Sequence, residues 1–175
     1  DCFLPSGRQA GIARLLPNGD FDPDFDAGIA PDGLIWTALR QDDGKIVIAG
    51  AFTTVNGVAR PGIARLEENG ALDTTWVPAN PDPAKQVRAL ALQADGKLVV
   101  GSYHKGDNVN LPVNRVFRLL PADGSLDPTF PVRGSGIEGI QNNVNGIVVQ
   151  ADGDIVIGGE FDVVAVPSPD RLARK

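Results

Sequence analysis

Methionine is absent from this 175-residue sequence, and cysteine and histidine occur once each. The single thiol, Cys2, has no internal partner, so cysteine does not fix the redox compartment. The single imidazole, His104, leaves a zinc site of the usual His/Cys kind without ligands, and a Ser-His-Asp arrangement would have to use it with one of five serines. A nascent chain begins with Met, so Asp1 is expected to follow an upstream segment. Long apolar runs are missing: the longest are about five residues, far short of a membrane span, and no signal peptide is legible. Glutamate is scarce, at 4 against 18 aspartates. Aspartate with glycine is turn chemistry, whereas a helical acidic protein would lean on glutamate. No window carries a sustained 3.6-residue apolar period with caps, so no α-helix is predicted. The net charge of −6 argues against a nucleic-acid partner.

What is present is repetition. Apolar content of 42% over 175 residues suits one folded domain, with 21 Gly and 14 Pro marking many turns. An Ile-Ala-Arg-Leu segment starts at Ile12 and Ile63, and its variant Val-Phe-Arg-Leu at Val116, at intervals of 51 and 53 residues. Each copy runs through a turn into an apolar residue, Asp, two residues and an aromatic. A second segment alternates with it and carries turn glycines Gly44, Gly96 and Gly153. Short β-branched runs flanking Asp-Gly are a strong hairpin signal. The arm after each glycine, such as Ile46-Val47-Ile48, is apolar at consecutive positions and should be covered on both faces. Two hairpins per period of about fifty residues predict a four-stranded antiparallel sheet, the unit of a β-propeller blade. A parallel solenoid would have shorter coils without a tight hairpin in each. The expected fold is therefore all-β, a propeller-like array of about three units, part of a larger propeller.

The strings Ala-Leu-Gln-Ala-Asp-Gly-Lys-Leu-Val-Val-Gly and Ile-Ala-Arg-Leu…Asn-Gly…Leu-Asp-Thr-Thr-Trp resemble the bacterial delta-60 repeat, and their cadence is similar to NHL-type blades. The resemblance covers almost the whole chain. It implies a β-propeller repeat of a large exported bacterial protein, extracellular or at the cell surface, and offers no general catalytic motif. By analogy with NHL-type blades, the Asp-Gly hairpin supplies inner strands and the Arg-containing hairpin outer ones. That phase gives an outer hairpin at 11–26, blades at 34–77 and 86–131, and a partial blade at 144–175. The second copy is one residue short around Ser102, so an irregularity is expected in that strand. Three blade equivalents are too few for a ring of four to eight. A piece of a longer propeller, or two copies completing each other's blades, would resolve this.

Residues that recur in every unit serve folding. Arg14, Arg65 and Arg118, matched by Asp22, Asp73 and Asp127, are expected to form one Arg–Asp bridge per unit, or an Asp-capped turn at the strand end, rather than a ring of ligand sites. Phe25, Trp76 and Phe130, and likewise Phe52, Tyr103 and Phe161, are expected between blades. Asp20, Asp22 and Asp24 alternate like a calcium loop, but Phe25 and Pro31 stand where an EF-hand needs Gly and Glu. They are weak metal candidates, and no metal or other cofactor is expected.

Residues present in one unit are free for binding, and the connecting loops at 27–34, 78–86, 104–114 and 133–145 are the places for it. His104, Asp107 and Asn108 lie in a polar stretch unique to the second unit. Glu138, Asn142, Asn143 and Asn145 form an amide-rich stretch suited to hydrogen bonding with sugars or peptides, or simply to turns. The expected function is a non-catalytic scaffold, adhesion or ligand-binding module. Its partners would be neighbouring repeats or a second copy, with a glycan or protein as ligand. The alternatives are a propeller hydrolase or lyase with a metal in the channel, and a lectin-like oligomeric ring.

Overall fold

The computed structural model describes residues 2–3, 9–25, 31–79, 86–103, 116–130 and 143–160. All regular structure among them is β. In chain order the strands are β1 (Cys2–Phe3), β2 (Gln9–Ala10), β3 (Leu34–Arg40), β4 (Ile46–Ala51), β5 (Thr54–Val55), β6 (Val58–Ala59), β7 (Ile63–Leu66), β8 (Gln86–Leu92), β9 (Leu98–Tyr103), β10 (Val116–Leu119), β11 (Val144–Val149) and β12 (Ile155–Gly159). They form antiparallel sheets in the orders β3-β4-β7, β8-β9-β10 and β11-β12, with small pairs β1-β2 and β5-β6.

The three Asp-Gly turns are built alike. Gln41, Gln93 and Gln150 each accept from the turn glycine N–H and donate to the backbone oxygen of the residue after it, Lys45, Lys97 and Asp154, at 2.8–3.0 Å. Asp43, Asp95 and Asp152 accept from the N–H two residues on. Gly44, Gly96 and Gly153 adopt φ of 89°, 80° and 92°. A three-residue loop ending in the left-handed region needs glycine there, and the aspartate closes the turn from its side chain. That pairing of roles is why Asp-Gly recurs.

Each Arg-containing hairpin returns on a fourth strand so short that one bridge represents it. The bridges are Leu15 to Phe21, Leu66 to Leu72 and Leu119 to Leu126. Pairing stops there because the following aspartate turns the chain with its own carboxylate.

The sheets stack face to face, β8 against β3 and β4, and β11 against β8 and β9. Strand alternation divides each middle strand between two interfaces. Val47 and Ala49 of β4 join Leu98 and Val100 of β9, with Ile63, Phe117, Leu119 and Trp76, in one core. Ile48 turns the other way, towards Phe25, Phe52, Ala64 and Leu66. Val99 turns towards Val116, Phe130, Val144, Ile155 and Ile157. The closing aromatic of each unit, Phe25, Trp76 or Phe130, thus lies in the interface with the next.

Equivalent apolar positions differ most where the stack ends. Leu66 and Leu119 are 0% exposed, while Leu15, the same position in the first unit, is 59% exposed. Val47 and Val99 are 0% exposed, while Val156 in the last unit is 52% exposed. Phe21 and Val148 are uncovered on the same two faces.

The irregularity expected in the second copy does not fall within β9. Tyr103 pairs with Gln86 as Ala51 pairs with Leu34, so the register is that of the first blade. Tyr103 therefore occupies the Ala51 position, not that of Phe52.

Candidate functional site

The recurring arginines and aspartates meet in every unit. Arg14, Arg65 and Arg118 donate from Nε to Asp22, Asp73 and Asp127 at 2.7, 2.9 and 2.8 Å. Each guanidinium also lies over its unit's aromatic, 5.0 Å from Phe25, 5.0 Å from Trp76 and 4.7 Å from Phe130. Their NH1 groups extend further. Arg14 donates to the backbone oxygen of Glu68, and Arg65 to that of Pro121, each in the turn of the next unit's Arg-containing hairpin. Arg118 donates instead to Gln93 Oε1. Arg14 and Arg65 are therefore straps between units as well as bridges within one, a role that their spacing alone did not disclose.

The carboxylates in this network are fully engaged. Asp73 accepts from Arg65, Lys45, the Thr75 hydroxyl and backbone N–H groups. Burial pushes its pKa up, but the hydrogen bonds from Thr75, Lys45 and Arg65 outweigh this and hold it well below the usual carboxylate range. Asp127 is likewise held low, chiefly by the Thr129 hydroxyl, against desolvation and with Arg118 assisting. Such groups are acceptors fixed in their ionised form, unsuited to giving or taking protons near neutrality.

The candidate calcium loop is spoken for in the same way. Asp22 binds Arg14 through Oδ2 and the Asp24 amide through Oδ1, and Asp20 accepts from Asn18. Among the described residues, no three His, Cys, Asp or Glu side chains are placed to hold a metal ion. Asn143 donates to Glu160 Oε2 at 2.9 Å, across the mouth of its hairpin. His104, Asp107, Asn108, Glu138 and Asn142 lie outside the described residues.

Asn145 has a different setting. The edge strands β3, β8 and β11 each carry a one-residue bulge. Ile35 and Thr37 pair with the consecutive Gly50 and Ala49, leaving Trp36 as the extra residue. Arg88 is the extra residue between Val87 and Ala89, and Asn145 between Val144 and Gly146. These three side chains line one open cavity of about 340 Å³. The Arg88 guanidinium lies 4.7 Å from the Trp36 ring centroid. Bulges re-aim a side chain out of the sheet's alternation, here repeatedly towards one space. Trp36 and Arg88 were not singled out in the sequence. The available signal was a varying residue at a fixed position, 36, 88 and 145, inside an otherwise recurring strand.

Comparisons with known proteins give the fold a family. The extracellular domain of BT4673 from B. thetaiotaomicron is similar in two crystal structures, described respectively as a one component and a hybrid two component system. Identity is 14% and 13%, with TM-scores of 0.35 and 0.33. The alignments cover 83% and 75% of this chain but only 23% and 21% of those chains. A comparison with curated proteins finds no match. The family described as "Domain of unknown function (DUF5122) beta-propeller" matches residues 6–25, 41–75, 93–130 and 150–174. Those segments take in the Asp-Gly turns, the middle strands and the Arg-containing hairpins, and together exceed half of the chain. The chain belongs to the DUF5122 beta-propeller family.

Proposed function

We propose that this chain is a non-catalytic propeller module of an exported bacterial protein, whose two end faces stack against further units of the same repeat. The carrying observation is the contrast at equivalent positions. Leu15 and Phe21 stand where Leu66 and Leu72 meet the preceding unit, and Val156, paired across its hairpin with the exposed Val148, stands where Val99 meets the following one. The two uncovered faces are thus the two halves of the interface already formed inside the chain, and they are complementary to each other. Burying such a face gains about 25 cal/mol per Å² of apolar surface. The resemblance to delta-60 repeats supports export. The non-catalytic reading is supported by the carboxylates, which are committed to structural bonds. No described helix is long and apolar enough to cross a membrane.

Sedimentation of the isolated chain over a wide concentration range tests this. Association that rises with concentration, and is lost in Val156→Asp without loss of folding, is expected. A compact monomer at all concentrations would contradict it.

A further inference from the structure

We propose that the hairpin β11-β12 of one chain and the Arg-containing hairpin 12–21 of a second copy join edge to edge into one complete blade. The inference rests on the reading that the end faces take units of the same repeat, and it names the unit. Among the described residues, nothing pairs with the second edge of β12. In the other two units that edge of the middle strand carries the Arg-containing strand, β7 on β4 and β10 on β9. The segment Ile12–Leu15 has the converse lack. It meets Phe21 across its own turn, and no described strand lies along its other side. Each half therefore presents the edge that the other is built to fill. An unpaired strand edge is a template for another strand, and its main-chain groups supply the affinity.

Two internal templates set the register. Ile46 pairs with Leu66 and Ile48 with Ala64; Leu98 pairs with Leu119 and Val100 with Phe117. The same offset places Ile155 opposite Leu15 and Ile157 opposite Ala13 of the second copy. One joining event then covers both kinds of exposed side chain. Leu15, the counterpart of Leu66 and Leu119, meets Val99, Val116 and Phe130 of the first copy. Val156, the counterpart of Val47 and Val99, meets Ile48 and Leu66 of the second. Stacking the two end faces without this pairing leaves both strand edges unfilled. The arginines point to the same joint. Arg14 and Arg65 each reach the backbone oxygen three residues after the next unit's arginine, on Glu68 and Pro121. The corresponding oxygen of the first unit, that of Pro17, accepts no hydrogen bond among the described residues. Arg118 instead holds Gln93 Oε1 of its own unit at 3.0 Å. Gln41 is the counterpart of Gln93 in the unit whose arginine does reach onward. Its Oε1 is buried with no hydrogen-bond partner among the described residues. The two arginines thus differ in choosing an onward carbonyl or their own unit's glutamine, and Arg118 is placed to pass from Gln93 to Pro17 of the joining copy.

The test is disulfide trapping between two single-cysteine chains, mixed in a Cys2→Ser background and oxidised at a concentration where the chain associates. Ala13→Cys with Ile157→Cys and Leu15→Cys with Ile155→Cys are the pairs in register, and either serves should a variant of the other fail to fold. The crossed pairs, 13 with 155 and 15 with 157, lie two residues off and about 7–8 Å apart, beyond ordinary disulfide reach. Linked dimers on a non-reducing gel are expected from the pairs in register, about tenfold faster than from the crossed pairs. Gln93→Leu removes the competing acceptor and should tighten association in sedimentation by up to about tenfold, whereas Gln41→Leu should leave it unchanged. Association without links in register overturns this joint and leaves the stacking reading in place, whereas no association at any concentration overturns both. The other occupant of the β12 edge is the chain's own segment 172–174, at matching spacing. In a chain with Ile157→Cys and Ala173→Cys, an internal link formed in preference to the link with Ala13→Cys would also overturn the proposal.

Discussion

The sheet β3-β4-β7 and the hairpin β11-β12 are built from nearly the same residues, yet one is a core and the other half a surface. Both have the same three-residue turn, the same edge-strand bulge and the same apolar strand after the turn. In the first, Val47 and Ile48 are buried on opposite faces. In the second, Ile155 and Ile157 face a neighbour and Val156 faces outward. Local sequence therefore sets the strand and its alternation, while the next unit in the stack decides whether an apolar side chain is covered. Stability in such an array is a sum of unit and interface contributions, and an end unit has one interface fewer.

The sharpest way to break this comparison is one substitution at two equivalent positions. Val99→Asp places a carboxylate between two sheets with no partner and should cost at least about 4 kcal/mol, enough to prevent folding. Val156→Asp on the open face should stay within about 0.5 kcal/mol for the isolated chain. Chemical denaturation of both variants at low protein concentration measures the difference. Equal costs would mean that the end face is covered after all.

A smaller effect is expected in the Arg–Asp network, with the same dependence on position. Asp73 and Arg65 are almost fully buried, and Asp73→Asn leaves Arg65 without its carboxylate while Lys45 keeps Glu67, at roughly 3 kcal/mol. The Arg14–Asp22 pair lies at the open end with Arg14 partly exposed, so Asp22→Asn should cost much less than Asp73→Asn. The acid limb sharpens this. Asp73 and Asp127 titrate below their unfolded value in the folded chain. Their stabilisation is therefore complete above the unfolded carboxylate pKa of about 4 and is lost as pH falls from there through their folded values. Urea denaturation at neutral pH and near pH 3 should show a drop in the wild type that Asp73→Asn reduces.

Much of this was legible in the chain. Repetition near fifty residues, the glycines after aspartate and the doubly apolar strands led to stacked antiparallel sheets, and the matching counts of Arg and Asp led to bridges. The bulges were not legible, because a bulge is a property of register. Trp36 becomes an extra residue only once Gly50 and Ala49 are paired. The reach of Arg14 to Glu68 and of Arg65 to Pro121 was hidden for a related reason, since it depends on how far adjacent sheets are offset.

The central claim is that a neighbouring unit, and nothing in the strand itself, buries this face. Thiol labelling tests it most directly, with cysteine introduced singly at 47, 99 and 156 in a Cys2→Ser background. The account predicts slow labelling at 47 and 99, and fast labelling at 156 in dilute protein that slows as the chain associates. Labelling at one common rate at all three positions would contradict it.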